Sequence, residues 1–578
     1  MLVIHDAHQQ QWLRFSHPTA IVTANSPSAV SSALDTVQRQ VDGGKYAAGF
    51  VAYEAASGCD ATLTTHQDVG DFPLLWFGLY DRPSAIALPD AAQMPPLQWR
   101  PSISEEEYRD AIAAIKAQIA DGNTYQVNFS FRLQAALPPD PWGLFLQMNQ
   151  AQAADYGAFV DIGDWAIACA SPELFFSHSG DRVLSRPMKG TVPRGMTLEQ
   201  DDQRAGWLRA SEKNQAENAM IVDMVRHDLG RVARIGSISV PSLFALERYP
   251  TVWQMTSTVQ GQTSASTATV FRSLFPPASI TGAPKASTTA LITQLETTPR
   301  RIYTGTIGFM CPGGRSQFNV AIRTVLIDRR QKLAEYGVGG GIVWDSQDHD
   351  EYAECCAKAQ VLHHHQPKFF LLESLRWTPE TGYFLLKRHL ERLRQSAAYF
   401  GFVYRPSAIA QWLAAIVSSK PSDEPHKVRL LLSADGHVSG EAIALSPPRS
   451  LTVCLAQQAV SASDIFLRHK TTHRQVYDVA RQNSPATVQD VILWNETAEV
   501  TEATLGNVVV EMGGQRYTPP LACGLLPGTF RAYLLDQKAI QERVITRQDL
   551  EECDRIFIVN SVRGWQDAEL IRAPGDCL

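Results

Sequence analysis

Apolar and polar positions follow two different periods along the chain, which indicates a mixture of helices and strands. Residues 102–121 carry isoleucines at helical spacing, and Ser104 with Glu107 three positions later has the pattern of a capping box. The next run, TYQVNFSFRL, alternates apolar and polar residues, which is typical of a strand with one solvated face. This part of the chain is therefore predicted to form a helix followed by a half-exposed strand.

Short apolar runs alternate with helical stretches from about residue 155 to 345, and residues 348–362 have the pattern of a closing helix. The segment HHHQPK follows at residues 363–368. The alternation then restarts with the strand-like run FFLLESLRW and the helical run KRHLERLRQSAAYFGF. We therefore predict the fold class α+β and two domains, residues 1–365 and 366–578.

Composition limits the classes of function. The 578 residues carry a net charge of -7, with 44% hydrophobic and 19% charged residues, so no basic field for nucleic acid is expected. The start MLVIHDAHQQ lacks the pattern of a signal peptide, and no apolar run is long enough to span a bilayer. The nine cysteines are scattered without metal-binding spacing, which favours free thiols in the cytoplasm.

Two runs of the first domain place reactive side chains in turns or at a helix start. SRPMKGTVPRG carries Lys189 in a turn bounded by proline and glycine, and NQAENAMIVDMVRHDLGRV carries Glu217 at the start of an apolar helical stripe. Taken alone, each side chain is typical of an ordinary exposed residue.

Two further runs offer backbone and a charged helix face. FPPASITGAPKAS places Thr281 in a turn before a predicted helix, where backbone N–H groups can bind a carboxylate. In YGVGGGIVWDSQDHDEYAECCAKAQ, three glycines allow close approach of a ligand, and Glu351, Glu354 and Lys358 share one helix face. Alone, that face would be an exposed ion pair.

In this order, the four runs resemble the chorismate-utilising enzymes, the family of anthranilate synthase component I, aminodeoxychorismate synthase component I, and the isochorismate and salicylate synthases. The likeness covers about residues 45–362 and includes SPELFF, PMKGT, AENAMIVD, SITGAPK, YTGTIG, NVAIRT and GGGIVWDS. It implies a large α/β sandwich domain that binds chorismate.

The resemblance also implies roles for individual residues. Magnesium is expected on Glu217 and Glu354, with Glu351 nearby through water. Glu173 is expected to protonate the departing hydroxyl. The residues expected to bind substrate are Thr281, Tyr303, Arg323, Gly339, Gly340 and Lys358.

Lys189 separates members of this family. Anthranilate synthases carry alanine at the matching position, whereas the aminodeoxychorismate, isochorismate and salicylate synthases carry lysine. In the aminating enzymes this lysine is thought to attack the ring before ammonia enters, and in the hydrating enzymes it activates water. Lys189 therefore argues against an anthranilate synthase and leaves amination and hydration both open.

The second domain carries a separate set of runs. LRHKTTHRQVYDVA contains Lys470, which alone would be typical of a basic surface loop. DVILWNETAEVTEATLGNVVV is predicted to form two strands around a turn, with Glu502 after the second strand. GLLPGTFRAYLL places Gly528 and Thr529 at a helix start suited to phosphate, and RHLERL supplies Arg392.

These runs resemble the fold-type IV pyridoxal-phosphate enzymes, which include branched-chain and D-amino-acid aminotransferases and aminodeoxychorismate lyase. The likeness covers about residues 369–575 and implies a two-lobed domain. By this resemblance, Lys470 binds pyridoxal 5'-phosphate covalently and Glu502 contacts the pyridine nitrogen. The phosphate is expected at Arg392, Gly528 and Thr529. Arg563 is the expected contact for a substrate carboxylate.

The combination of the two domains favours one joint function over its alternatives. An aminodeoxychorismate synthase makes the substrate of the lyase, so we expect amination of chorismate and then loss of pyruvate to give 4-aminobenzoate for folate. One alternative is an isochorismate or salicylate synthase fused to a domain that resembles D-amino-acid transaminases. Another is a synthase with a catalytically inert second domain that acts as a scaffold.

The sequence also bears on partners. No glutaminase nucleophile motif is found, so ammonia is expected from a separate glutamine amidotransferase subunit. Fold-type IV enzymes often dimerise because their cofactor pocket borrows residues across the interface. A homodimer through the second domain is therefore expected.

Overall fold

The computed structural model describes residues 1–92, 94–362, 367–418, 424–447 and 450–571. The chain divides into two compact units, Met1–Arg194 with Arg204–Gln366 and Gly195–Gln203 with Pro367–Leu578. The domain boundary predicted at residues 365 and 366 lies outside the described residues. Helices make up 31% of the structure and strands 34%, which confirms the predicted mixed fold class.

The α-helices fall between sheet strands in both units. They are α1 (Pro27–Asp42), α2 (Ala56–Cys59), α3 (Glu105–Ala120), α4 (Pro141–Gln152), α5 (Leu198–Ala210), α6 (Glu212–Gly230), α7 (Thr267–Leu274), α8 (Lys285–Leu295), α9 (Asp348–Ala359), α10 (Leu386–Phe400), α11 (Pro406–Ser418), α12 (Gln475–Gln482), α13 (Thr529–Asp536) and α14 (Arg547–Glu552).

The strands of the first unit precede those of the second along the chain. In the first unit they are β1 (Leu2–Asp6), β2 (Gln11–Phe15), β3 (Ala20–Ala24), β4 (Tyr46–Val51), β5 (Leu75–Tyr80), β6 (Ser84–Ile86), β7 (Arg100–Pro101), β8 (Gln126–Ala136), β9 (Ala158–Asp161), β10 (Trp165–Cys169), β11 (Leu174–Ser179), β12 (Arg182–Arg186), β13 (Met188–Pro193), β14 (Ser239–Arg248), β15 (Val252–Gln262), β16 (Gly282–Ala283), β17 (Thr306–Cys311), β18 (Arg315–Asn319), β19 (Thr324–Asp328) and β20 (Leu333–Ile342). In the second unit they are β21 (Leu371–Thr378), β22 (Gly382–Tyr383), β23 (His426–Leu432), β24 (Val438–Ala444), β25 (Leu451–Leu455), β26 (Asp490–Trp494), β27 (Val500–Ala503), β28 (Asn507–Met512), β29 (Gln515–Thr518), β30 (Gln541–Glu542), β31 (Arg555–Asn560) and β32 (Gly564–Leu570).

Two ten-stranded sheets form from the described strands of the first unit. One follows the order β16-β8-β20-β19-β10-β9-β1-β2-β6, with β7 on β8, and the other β13-β15-β12-β11-β18-β17-β4-β5-β3, with β14 on β15. Strand β1 shows how they pack, because Leu2 and Ile4 join a core that contains residues of both sheets, while Val3 faces a second core with α3 and α4. The first sheet is thus covered on both faces, as the predicted α/β sandwich requires.

The helix α3 and the strand β8 test the local predictions. The capping box is confirmed, since the backbone N–H of Glu107 donates to the Ser104 hydroxyl and the Glu107 carboxylate accepts from the Ser104 backbone. The predicted solvated face of β8 is wrong. Ser130 and Arg132 are buried, and both contact the carboxylate of Glu296 at 2.8 and 3.8 Å. The polar positions of β8 therefore form an internal, hydrogen-bonded face rather than an exposed one.

Two sheets also form in the described part of the second unit, with orders β22-β21-β23-β24 and β27-β26-β25-β32-β31-β28-β29-β30. The prediction for residues 490–510 needs correction. This stretch contains the three strands β26, β27 and β28 rather than two, and Glu502 lies inside β27 rather than after it. Helix α13 begins at Thr529 directly after Gly528, as predicted.

Two general expectations can also be compared with the structure. Every described cysteine is a free thiol. In the part of the chain that the structure describes, no helix combines the length and the apolar character needed to cross a bilayer.

The capping box gives a local stability prediction. Ser104→Ala removes the acceptor for the Glu107 N–H, so we expect α3 to lose about 1 kcal/mol of local stability. Hydrogen exchange measured by mass spectrometry should then be about fivefold faster in peptides covering the first turn of α3. Glu107→Gln is the control, because glutamine retains an acceptor for the Ser104 N–H and should leave exchange nearly unchanged. Unchanged exchange in Ser104→Ala would contradict the assigned cap.

Candidate active sites

The three glycines of β20 form the centre of the first site. Gly339, Gly340 and Gly341 lie opposite Ser130, Phe129 and Asn128 of β8. A Cβ added at Gly341 would lie only 2.6 Å from Nζ of Lys189, and one at Gly340 would lie 3.1 Å from Oε2 of Glu351. Charged groups therefore approach this strand closely, which only glycine permits.

Lys189 lies on β13 with its ammonium group in this region. Burial lowers its pKa, and the nearby ammonium of Lys358 also lowers it, whereas the carboxylates of Glu217, Glu354 and Glu173 oppose the shift. The Asn218 side chain of α6 donates to the carbonyl of Lys189 at 3.2 Å, which fixes the strand to the helix that carries Glu217. Lys189 is thus a partly desolvated amine among carboxylates, an environment that favours its neutral, nucleophilic form more than water does.

Glu173 is the buried acid of the site, with 3% of its surface exposed. The Ser279 hydroxyl donates to its Oε1 at 2.6 Å, and the backbone N–H of Met188 approaches the same oxygen at 3.4 Å. Burial raises the pKa of Glu173 to about 7, although Ser279 and Lys189 act against the shift. The carboxyl group can therefore exchange a proton near neutral pH.

Glu217, Glu351 and Glu354 share one electrostatic environment. Burial raises the pKa of Glu217 and of Glu351, and the charge of Glu354 adds to both shifts. Lys358 lowers the pKa of Glu354, with which it forms an ion pair at 2.7 Å. The Ser346 hydroxyl donates to Glu351 at 2.6 Å.

These carboxylates are the oxygen donors that magnesium prefers. Among the described residues, however, no three His, Cys, Asp or Glu side chains lie close enough together to hold an ion. Glu354 contacts Lys358 instead. The donor chemistry fits the predicted cation, and binding would require Glu354 to exchange or share its partner.

The remaining predicted residues of the first site differ in how directly they border this region. Lys358 donates to the carbonyl of Gly339 at 2.8 Å, and the guanidinium of Arg323 donates to the carbonyl of Lys358. Tyr303 is buried behind Gly337, where an added Cβ would lie 2.1 Å from its ring. Thr281 donates its hydroxyl to Pro277 at 2.9 Å. Tyr303 thus packs against the backbone at Gly337, and Thr281 hydrogen-bonds to the backbone of Pro277. Of these residues, Lys358 lies directly beside the three glycines.

Gln126 is not among the residues predicted from the sequence. Only 1% of its surface is exposed, and its Nε2 would lie 2.4 Å from a Cβ added at Gly341, on the side where Lys189 also approaches. Its Oε1 has no hydrogen-bond partner within the described residues. Its sequence signal is its place in TYQVNFSFRL, where the alternation predicts an exposed polar side chain rather than a buried one.

A cavity of about 790 Å³ defines the second site. All six residues predicted for the second domain line it: Arg392, Lys470, Glu502, Gly528, Thr529 and Arg563. This volume lies within the range typical of ligand and cofactor sites.

Lys470 and Glu502 carry shifted pKa values in this cavity. Burial lowers the pKa of Lys470 to about 8, and the neighbouring guanidinium of Arg392 adds to the shift. Burial raises the pKa of Glu502 to about 7, and its carboxylate accepts from three donors, of which the Tyr477 hydroxyl is the nearest at 2.8 Å. The other two are the Leu526 N–H at 3.1 Å and the Asn507 amide at 3.4 Å. Glu502 is therefore held in place by its donors, and both groups are poised to exchange protons near neutrality.

Glu373 holds Arg392 in position and was not predicted. Its carboxylate accepts from Nε and Nη2 of Arg392 at 2.9 and 2.7 Å and contacts Nδ1 of His389 at 2.7 Å. Burial alone would raise the pKa of Glu373, but Arg392 and His389 outweigh it and lower the value to about 2. Nε2 of His389 lies 3.2 Å from the Thr529 hydroxyl, so the network reaches the start of α13. A single carboxylate inside the apolar run FFLLESLRW was the available signal.

The start of α13 fits a phosphate group. A Cβ added at Gly528 would lie 1.9 Å from Oδ1 of Asn507, so only glycine fits beside this side chain. Thr529 follows as the first helical residue, where N–H groups and the helix dipole favour an anion. A lysine, a carboxylate and an anion-binding helix start in one cavity together fit pyridoxal 5'-phosphate.

Comparison with known proteins gives a separate match for each unit. Residues 84–364 match the family model described as chorismate binding enzyme, and residues 371–571 match that of amino-transferase class IV. Aminodeoxychorismate synthase component 1 of Salmonella typhimurium is 38% identical over 268 residues, which cover 46% of this chain and 59% of that protein. Anthranilate synthase component 1 of Haloarcula marismortui is 37% identical over 261 residues, which cover 45% and 53%.

Among solved structures, anthranilate synthase component I from Streptococcus pneumoniae has a TM-score of 0.54 at 22% identity. The match covers 63% of this chain and 92% of that chain, and at this identity it supports the fold. The chain spans a little over half the length of the curated relatives it matches. Residues 84–364 are therefore similar to the chorismate-binding enzymes and residues 371–571 to the class IV amino-transferases, so the chain combines one domain of each kind.

Proposed function

We propose that the first domain aminates chorismate to 4-amino-4-deoxychorismate and that the second domain releases pyruvate from this product to give 4-aminobenzoate. The observation that carries the proposal is the buried Lys189 amine, which lies against the glycine strand and within the field of Glu173 and Glu217. Identity alone does not fix the chemistry, since synthases of both types match at similar levels. Lys189 argues against the anthranilate type, whose members carry alanine at this position.

In the first site, Glu173 and Lys189 perform the proposed bond changes. Lys189 adds its amine to the ring while Glu173 protonates the departing hydroxyl, which leaves as water. Ammonia then adds to the ring, and the lysine amine is released. Glu173 suits the role of acid because its carboxyl group retains a proton up to a pH of about 7.

The charged side chains around the glycines suit the two carboxylates of chorismate. Lys358 offers a cationic donor beside Gly339, and Arg323 donates to the carbonyl of Lys358; both cations suit the carboxylate at the enolpyruvyl end. Glu217 and Glu354, with Glu351 nearby, would hold magnesium, which supplies positive charge for the ring carboxylate. Removal of magnesium is accordingly expected to abolish amination.

In the second site, Lys470 and Glu502 would both contact the proposed cofactor. Pyridoxal 5'-phosphate would supply an electron sink for carbon–hydrogen cleavage. Glu502 would contact the pyridine nitrogen, and Arg392, Gly528 and Thr529 would hold the phosphate. Lys470 would remove the ring proton as a general base, which suits an amine whose pKa is lowered to about 8. Aromatisation of the ring favours the loss of pyruvate.

The fusion supports the joint function, because one domain makes the compound that the other consumes. Ammonia is proposed to come from a separate glutamine amidotransferase subunit, and a homodimer through the second domain is proposed as the assembly. A cytoplasmic location is consistent with free thiols at every described cysteine.

Product analysis tests the proposal together with the role of Lys189. The chain is supplied with chorismate, magnesium and ammonium, with and without pyridoxal phosphate, and products are identified by mass. We expect 4-aminobenzoate and pyruvate with the cofactor and 4-amino-4-deoxychorismate without it. Lys189→Ala should lower amination on the order of a thousandfold, because the nucleophile is lost.

Two comparisons make that result specific. Lys387→Ala changes an exposed lysine of the second domain and should aminate normally. Isochorismate or salicylate as the wild-type product, or full amination by Lys189→Ala, would overturn the proposed chemistry.

The pKa of Glu173 predicts a pH profile. The acid form is needed, so the amination rate at constant free ammonia should fall as the pH rises through about 7. The Ser279 hydroxyl lowers this pKa, so Ser279→Ala should move the falling limb about one unit toward higher pH. Ser287→Ala, an exposed site on the nearby helix α8, is the matched control. A limb that stays in place in Ser279→Ala would argue against Glu173 as the acid.

Lys470 gives a spectroscopic prediction. The wild-type protein with pyridoxal phosphate should absorb near ~410–420 nm, and Lys470→Ala should lose this band because the covalent link to the cofactor is absent. Lys387→Ala should retain it. A band of equal intensity in Lys470→Ala would exclude Lys470 as the attachment site.

A further inference from the structure

The cavity of the second domain extends beyond the residues expected to hold the cofactor. Strand β23 forms part of its wall through Lys427 and Arg429. These side chains alternate with His426, Val428 and Leu430, which are buried on the other face of the strand. Because side chains two positions apart on a strand point the same way, about 7 Å apart, both cations face the cavity.

Two more cations reach the same cavity from other segments. Arg474 donates to the carbonyl of Thr504 at 2.6 Å and stacks on the Tyr477 ring at 4.4 Å. Arg563 is oriented by its backbone N–H, which donates to Asn560 at 2.8 Å, and its guanidinium donates to the carbonyl of Ser446. Neutral acceptors thus position both guanidinium groups without cancelling their charge.

The acidic side chains nearby leave this end of the cavity positively charged. Glu441 lies opposite Arg429 on β24 and approaches it at 3.6 Å, with both side chains about half exposed. Within the described ranges, Lys427, Arg474 and Arg563 form no ion pair with a carboxylate. Burial lowers the pKa of Lys427, and Arg429 and Arg563 lower it further, so the cations lie within each other's field. Deeper in the cavity, Glu373 already pairs with Arg392.

We propose that Lys427, Arg429, Arg474 and Arg563 form a dicarboxylate-recognition site that selects amines with a second carboxylate over ordinary amino acids. The proposal rests on the proposed function, and it names the substrate class of the second domain. An ordinary amino acid offers one carboxylate, for which Arg563 alone would suffice. Four cations on three segments suit two carboxylates at the two ends of one molecule.

The same site also favours release of the products. 4-Amino-4-deoxychorismate carries both carboxylates on one molecule, whereas 4-aminobenzoate and pyruvate carry one each. Cleavage of the bond between ring and enolpyruvyl oxygen therefore divides the charge between two products, each with a single anchor. Each product loses part of the electrostatic attraction that held the substrate, which favours its release.

The test compares the wild-type chain with Lys427→Gln and with the double variant Lys427→Gln/Arg429→Gln, all loaded with pyridoxal phosphate. The KM for 4-amino-4-deoxychorismate should rise roughly ten- to a hundredfold for each cation removed, with a much smaller change in kcat. Retention of the cofactor absorbance shows that the deep end of the cavity is intact. Arg394→Gln, an exposed arginine paired with Glu391, is the matched control and should keep the wild-type KM.

A second measurement separates this inference from the proposed function. Isophthalate and benzoate, which differ by one carboxylate, are titrated while the cofactor absorbance is followed. Isophthalate should bind at least tenfold more tightly to the wild-type chain, and the difference should shrink in the double variant and at high salt. This holds even if the wild-type chain fails to cleave 4-amino-4-deoxychorismate, a failure that would count against the proposed function alone. Equal affinity for the two acids, or an unchanged KM in both variants, would overturn the dicarboxylate site.

Discussion

Burial of charged groups beside a strand without side chains is the constraint on which the first site depends. The amine of Lys189 occupies the space that a Cβ of Gly341 would fill, and Glu351 approaches Gly340 closely. A charge in such a position is costly unless opposite charges surround it, which explains why Glu173, Glu217 and Glu354 all lie within its field. Burial lowers the pKa of Lys189 and raises those of Glu173 and Glu217, toward neutrality, where proton transfer is efficient, while the opposite charges limit these shifts. The burial that packs these charged groups together therefore also makes them reactive.

The second site also buries charged groups, and it compensates them through a hydrogen-bonded network. Arg392 is fixed by two hydrogen bonds to Glu373, and His389 extends this network to Thr529. At the end of the cavity near Thr529, the charge of Arg392 is balanced by Glu373. The other end, lined by Lys427, Arg429, Arg474 and Arg563, holds an excess of positive charge. Positive charge is thus balanced by Glu373 at the proposed phosphate site and left in excess where the substrate carboxylates are proposed to bind.

Local patterns and family motifs predicted much of this, because they depend on residues close in the sequence. The cap at Ser104 and the helix start at Thr529 are correct for that reason. The errors arise where long-range contacts decide. The polar residues of β8 looked solvent-exposed, yet Glu296 from a distant segment satisfies Ser130 and Arg132 internally. Glu373 and Gln126 were missed because their significance depends on partners brought near only by folding.

The contact between Lys189 and Gly341 links two positions that are 152 residues apart in the sequence. A side chain at 341 and a lysine at 189 cannot both fit without a shift, since the lysine amine would meet the new carbon at 2.6 Å. Shortening residue 189 would remove that conflict, but position 341 could vary only if Gln126, whose Nε2 would meet the new carbon at 2.4 Å, also moved or changed. The three positions should therefore change in a fixed order during divergence, with changes at 126 and 189 coming before any growth of the glycine.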